Sequence, residues 1–137
     1  MKNKLKNKTV IIFAIVYLFI GIGTAIISNP LTNSEMQVVW RLASLIVSII
    51  IFIIHIRYEI INRFNSPRIT AINTSGAVAL GTFALAVLAN IYALMNASTN
   101  NYSLLLALLI WPIVTGLISF LVAYIIAKIF IHIRSKS

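Results

Sequence analysis

This 137-residue chain holds two carboxylates, Glu35 and Glu59, two histidines, His55 and His132, and no cysteine. Proton exchange is the chemistry such a set allows. His55 and Glu59 stand four residues apart, a spacing that puts both on one helical face, where a carboxylate orients an imidazole or passes protons to it. The pair belongs to a longer polar row. Arg41, Ser44, Ser48, His55, Glu59 and Asn62 follow at intervals of 3, 4, 7, 4 and 3 residues, with Phe52 in the gap, so on a helix they form one narrow stripe. These six residues are the candidate seam or pathway. No acid and base pair of carboxylates, metal-binding cluster, Gly-rich phosphate loop or Ser-His-Asp set can be assembled from what is present. Zero cysteines also remove disulfides, thiolate catalysis and iron–sulfur ligation. No catalytic residue, metal or cofactor is expected, and the chain is expected not to be an enzyme.

Glu59, His55 and Arg41 each also have a structural explanation. Glu59 can form an interfacial ion pair with Arg63, four residues later in the favourable order. His55, one turn deeper, can serve as a hydrogen-bonded packing residue. Arg41 lies about 10 Å along the helix from Ser34, close enough to the end to snorkel outward. Its place on the stripe equally allows its head to face the bundle interior.

The elements that position these residues follow from composition. A chain that is 61% hydrophobic and 9% charged has too little polar surface for an ordinary soluble domain. Four apolar stretches, about 9–28, 36–64, 67–95 and 103–131, each have the length of a membrane helix. The expected fold is an all-α membrane protein, a single domain over 1–137 built as an antiparallel four-transmembrane-helix bundle. The first stretch, preceded by Lys2, Lys4, Lys6 and Lys8, also resembles a signal peptide. Its apolar run is long for one, and Gly23-Thr24-Ala25 is a poor cleavage site, so a retained helix is expected. Ser34 and Gln37 suggest a capping box for the second helix, after a polar turn at Asn29-Pro30. Asn65-Ser66-Pro67 reads as a tight turn with Ser66 as N-cap and Pro67 as first residue of the third helix. Asn96 to Asn101 reads as an uncharged loop. Pro112 should kink the fourth helix.

The basic residues report orientation. If all four helices span, ten of the eleven Lys and Arg residues fall on one side, Arg41 being the exception. Both termini are therefore expected in the cytoplasm, N-in and C-in. The net charge of +9 marks this collar and a pull toward anionic lipids, with no nucleic-acid partner implied. Abundant Lys, Ile and Asn point to an AT-rich bacterial genome, hence the inner membrane.

Small and polar residues at helical spacing mark the packing faces. Gly21, with Ala14, Tyr17, Ala25 and Ser28, lines one side of the first helix; Ala86 and Asn90, with Ser75, Ala79, Thr82, Ala93 and Ala97, line the third. Thr115, Ser119 and Ala123, with Gly116 and Ala127, line the fourth. Asn90 needs a polar partner, with Ser28 and Arg41 as candidates at similar depth. The chain resembles neither the small multidrug resistance transporters nor the fluoride channels. The stretch from Thr9 to Ser28 holds no carboxylate, and a Gly-rich signature is lacking. The expectation is a non-enzymatic inner-membrane protein acting through helix contacts, as an accessory, regulatory or immunity-type subunit or as a homo-oligomer. The alternative is an oligomeric channel or transporter using the polar row of the second helix.

Overall fold

The computed structural model describes residues 2–28, 33–95 and 101–134. They form four helices: α1 Lys2–Ser28, α2 Ser34–Ile61, α3 Pro67–Met95 and α4 Asn101–Arg134. No strand occurs among the described residues. All four helices contain stretches long and apolar enough to cross a membrane, and the shortest, of 27 residues, extends about 40 Å at 1.5 Å per residue. A hydrocarbon core of about 30 Å is covered by each. The chain is a small multi-pass membrane protein. Large apolar side chains face outward along the helices, with Phe19, Ile26, Leu109 and Leu121 all exposed by more than 60%.

Local signals set the helix ends. Asn33 caps α2, its side-chain oxygen accepting from the Glu35 N–H at 2.9 Å, so the cap stands one residue before the expected Ser34. An Asn carbonyl oxygen serves the orphan N–H groups as well as a Ser hydroxyl does. Helix α3 starts at Pro67 as expected, with the Ile69 N–H directed at the Ser66 hydroxyl at 3.5 Å. Helix α4 continues through Pro112. The turn at Asn29-Pro30, the loop from Asn96 to Asn100, and Lys136 lie outside the described residues.

Helix α3 is the centre of the molecule, packing on α1, α2 and α4, while α1 and α4 do not meet among the described residues. Relative directions follow from individual contacts. Thr9 bonds Arg63 and Thr24 bonds Ser44, so α1 and α2 run oppositely. A Cβ placed on Gly81 would stand 2.9 Å from the Tyr17 Cβ and 3.0 Å from the Ala14 carbonyl oxygen, and one on Gly21 would strike the Leu85 side chain. Parallel helices α1 and α3 therefore approach backbone to backbone at Gly81, a contact only a residue without a Cβ permits. On its other side α3 meets α4. The Thr82 and Thr115 hydroxyls are 3.0 Å apart, and a Cβ on Gly116 would be 3.3 Å from that of Ala79.

The buried core lies toward one end. Ile56, Ile60, Ala71, Ala123 and Ala127 form its apolar part, with Phe52, Phe120 and Phe130 packed around it. Of the small residues expected to pack, Ala14, Ala86, Ser119, Ala123 and Ala127 are buried, whereas Ala25 is exposed. Asn90 donates to the carbonyl of Ala86 in its own helix at 2.8 Å.

Candidate functional site

Beside that apolar core is a polar one. Glu59 and His55 are both 0% exposed, which is uncommon for a carboxylate unless its oxygens are served. One oxygen is. Glu59 Oε2 accepts from the carboxamide of Asn73 at 2.7 Å and from that of Asn65. The second donor is supplied by the turn. Phe64 takes a positive φ of 52°, a region bulky residues seldom enter, and the chain reverses there so that the Asn65 N–H returns to the Glu59 carbonyl at 3.1 Å. The tight connection between α2 and α3 thus carries a site residue back over the end of its own helix. Arg134 of α4 lies over the Phe64 ring, 5.6 Å from its centroid.

Among the described residues the other carboxylate oxygen, Oε1, has no hydrogen-bond partner, and it lies 3.9 Å from His55 Nε2. That separation is an ion-pair distance, too long for a hydrogen bond. Neither imidazole nitrogen has a hydrogen-bond partner among the described residues. The ring is held by stacking instead, lying parallel to Phe13 of α1 at 3.7 Å and 5°. The expected ion pair between Glu59 and Arg63 is replaced: Arg63 donates to the Thr9 hydroxyl at 2.6 Å, while carboxamides serve Glu59.

Helix α3 closes the site with Thr70, Asn73 and Thr74, all buried on the face that continues through Ala77 to Gly81. The Thr70 and Thr74 hydroxyls are buried without a partner, as is the hydroxyl of Tyr17 on α1. Tyr17 bears on the expected seam. Thr24 opposite Ser44 and Phe13 opposite His55 set a common register for α1 against α2, which places Tyr17 across from Ile51, in the stretch between Ser48 and His55 where α2 itself has no polar side chain.

The six seam residues are not one continuous surface. His55 and Glu59 are buried; Ser44 and Ser48 are half-buried, Ser48 donating to the Ser44 carbonyl at 2.8 Å. Arg41 is exposed. Asn62 caps α2 and is exposed, its backbone N–H on the Tyr58 carbonyl. His132 is exposed in the last turn of α4. The residues missed in the sequence are Asn65, Thr70, Asn73 and Thr74. A signal existed: Thr70, Asn73 and Thr74 share a helical face with Ala77 and Gly81. It was obscured because α3 has a second small-residue face, toward α4. Comparison with protein-family models, with curated proteins and with solved structures finds no match to this chain.

Proposed function

We propose that this protein moves a small cation across the membrane, with Glu59 as the group that holds it and polar side chains of α1 and α2 as its route. The supporting observation is a fully buried carboxylate with one oxygen saturated by Asn73 and Asn65 and the other unpartnered. An ionisable group inside a membrane bundle is costly to place, and such groups mark ion pathways and proton relays. On this proposal the route runs from the Thr24–Ser44 contact past Ser48 and Tyr17 to His55 and Glu59. The protein is non-enzymatic, sits in the bacterial inner membrane with both termini in the cytoplasm, and works as a homo-oligomer whose additional copies supply walls that four helices lack. The basic collar near Glu59 attracts anionic lipids and sets the orientation.

The test is flux into proteoliposomes. Glu59→Gln is expected to abolish it with insertion intact, while Arg41→Ala, exposed and away from the buried group, retains it. Unchanged flux in Glu59→Gln overturns the proposal.

A role confined to helix contacts, as an accessory, regulatory or immunity-type subunit, is favoured by a different observation. The half of α2 around Val38, Leu42, Leu45 and Ile49 is exposed by 49% or more, although α2 is the helix that carries the seam. Purification from the native host in mild detergent tests this role. A stoichiometric membrane partner supports it, and recovery of this chain alone opposes it.

A further inference from the structure

We infer that His55 and Glu59 hold a single proton between them, making a proton the cation that the site takes. The inference rests on the proposal that Glu59 is a cation-holding group and gives that cation a chemical identity.

Charge balance carries the first part. With a neutral imidazole and an ionised carboxylate the buried pair has a net charge of −1, and an uncompensated charge in an apolar interior is expensive. The carboxamides of Asn65 and Asn73 solvate Oε2 but bring no positive charge. Among the described residues, the cations on the surrounding elements are directed elsewhere. Arg63 of the turn between α2 and α3 bonds Thr9, Lys128 of α4 lies over Tyr124 at 5.7 Å, and Arg134 lies over Phe64. Lys8 of α1, Arg57 of α2, and Arg68 of α3 are exposed, as is His132 of α4. Tyr17 and Tyr58, the latter tilted against Phe13 at 6.4 Å, are further titratable groups near the site, and neither carries a positive charge. One added proton brings the pair to neutrality.

Geometry carries the second part. The unpartnered atoms Nε2 and Oε1 face each other at 3.9 Å, and about 1 Å of side-chain movement brings them to hydrogen-bond distance. The proton then has two resting forms. In one, an imidazolium faces a carboxylate; in the other, a neutral imidazole faces a carboxylic acid. Passage between them breaks the N–H bond at Nε2 as the O–H bond at Oε1 forms, and the pair stays neutral in both. Stacking on Phe13 fixes the ring plane, and the carboxamides fix Oε2, so Oε1 is the oxygen left for the proton.

The scarcity of titratable side chains makes the test clean. Glu35 is the other side-chain carboxylate and His132 the other imidazole, so Glu35→Gln with His132→Gln leaves one of each. In bilayers, the carboxyl stretch of Glu59 is followed by infrared difference spectroscopy, and the His55 nitrogens by ¹⁵N magnetic resonance, across pH. The expected result is a shared transition seen by both probes, with the imidazole transition displaced by about one pH unit or more in Glu59→Gln. Independent transitions, or a carboxyl signal that responds to Na⁺ at fixed pH, overturn the inference. If Glu59→Gln fails to insert, the two-probe comparison without that substitution still decides. A shared proton without flux would remove the transport proposal and leave this one standing. Flux lost in Glu59→Gln without a shared proton would do the reverse.

Discussion

At the scale of single residues, the buried carboxylate is held by neutral donors, and their loss should be felt in stability before anything else. Asn73 donates to Glu59 from a buried position, so Asn73→Ala removes one of two donors on Oε2. A cost of about 1–3 kcal/mol is expected, read by reversible unfolding in mixed micelles; no measurable loss would mean that Glu59 does not rely on it. Tyr17 separates route from scaffold. Its buried hydroxyl has no partner, so Tyr17→Phe should leave stability nearly unchanged while slowing flux severalfold. Equal flux in Tyr17→Phe would take α1 out of the route. The His55–Glu59 spacing was legible because both residue types are rare here and four residues apart. The service of Glu59 Oε2 by Asn65 and Asn73 was not, because the Asn65 contact depends on a reversal through a positive-φ Phe64 that no local propensity announces.

At the scale of elements, α3 organises the bundle by presenting different faces to α1 and α4. The α1 contact depends on Gly81, where an added methyl would meet the Tyr17 Cβ at 2.9 Å and the Ala14 carbonyl oxygen at 3.0 Å. Backbone atoms cannot step aside as a side-chain tip can. Gly81→Ala is therefore expected to cost about 1–3 kcal/mol and, by parting α1 from α3, to disturb the Phe13 stack on His55. The α3–α4 contact is less demanding. Thr115→Val removes the Thr82–Thr115 bond for about 0.6 kcal/mol, the average for such bonds in membrane helices. Helix number and the turn at Pro67 were readable from apolar run length and turn chemistry. The division of labour on α3 was not, because small residues spaced along nearly all of its surface fit more than one partner face. The Asn90 side chain likewise found its own helix carbonyl, a choice that spacing alone does not disclose.

At the scale of the whole molecule, four apolar helices and a charge distribution biased to one end underlie the proposed orientation in a bilayer. The native sequence lacks cysteine, so single cysteines report sidedness without background. Asn33 and Ser66 are exposed at opposite ends of the bundle. A membrane-impermeant thiol reagent applied to intact cells should label Asn33→Cys and spare Ser66→Cys; the opposite pattern would invert the proposed orientation and put the Glu59 end outside. The central claim is that Glu59 holds a moving cation, and it is tested most directly by proton flux under an imposed pH gradient. Flux is measured per inserted copy, in proteoliposomes of the unmodified chain and of Glu59→Gln. A gradient-driven flux that disappears in Glu59→Gln at equal insertion is the expected result. Equal flux in both, or none in the unmodified chain with any monovalent cation, would contradict the claim and leave the buried pair a structural feature of the bundle.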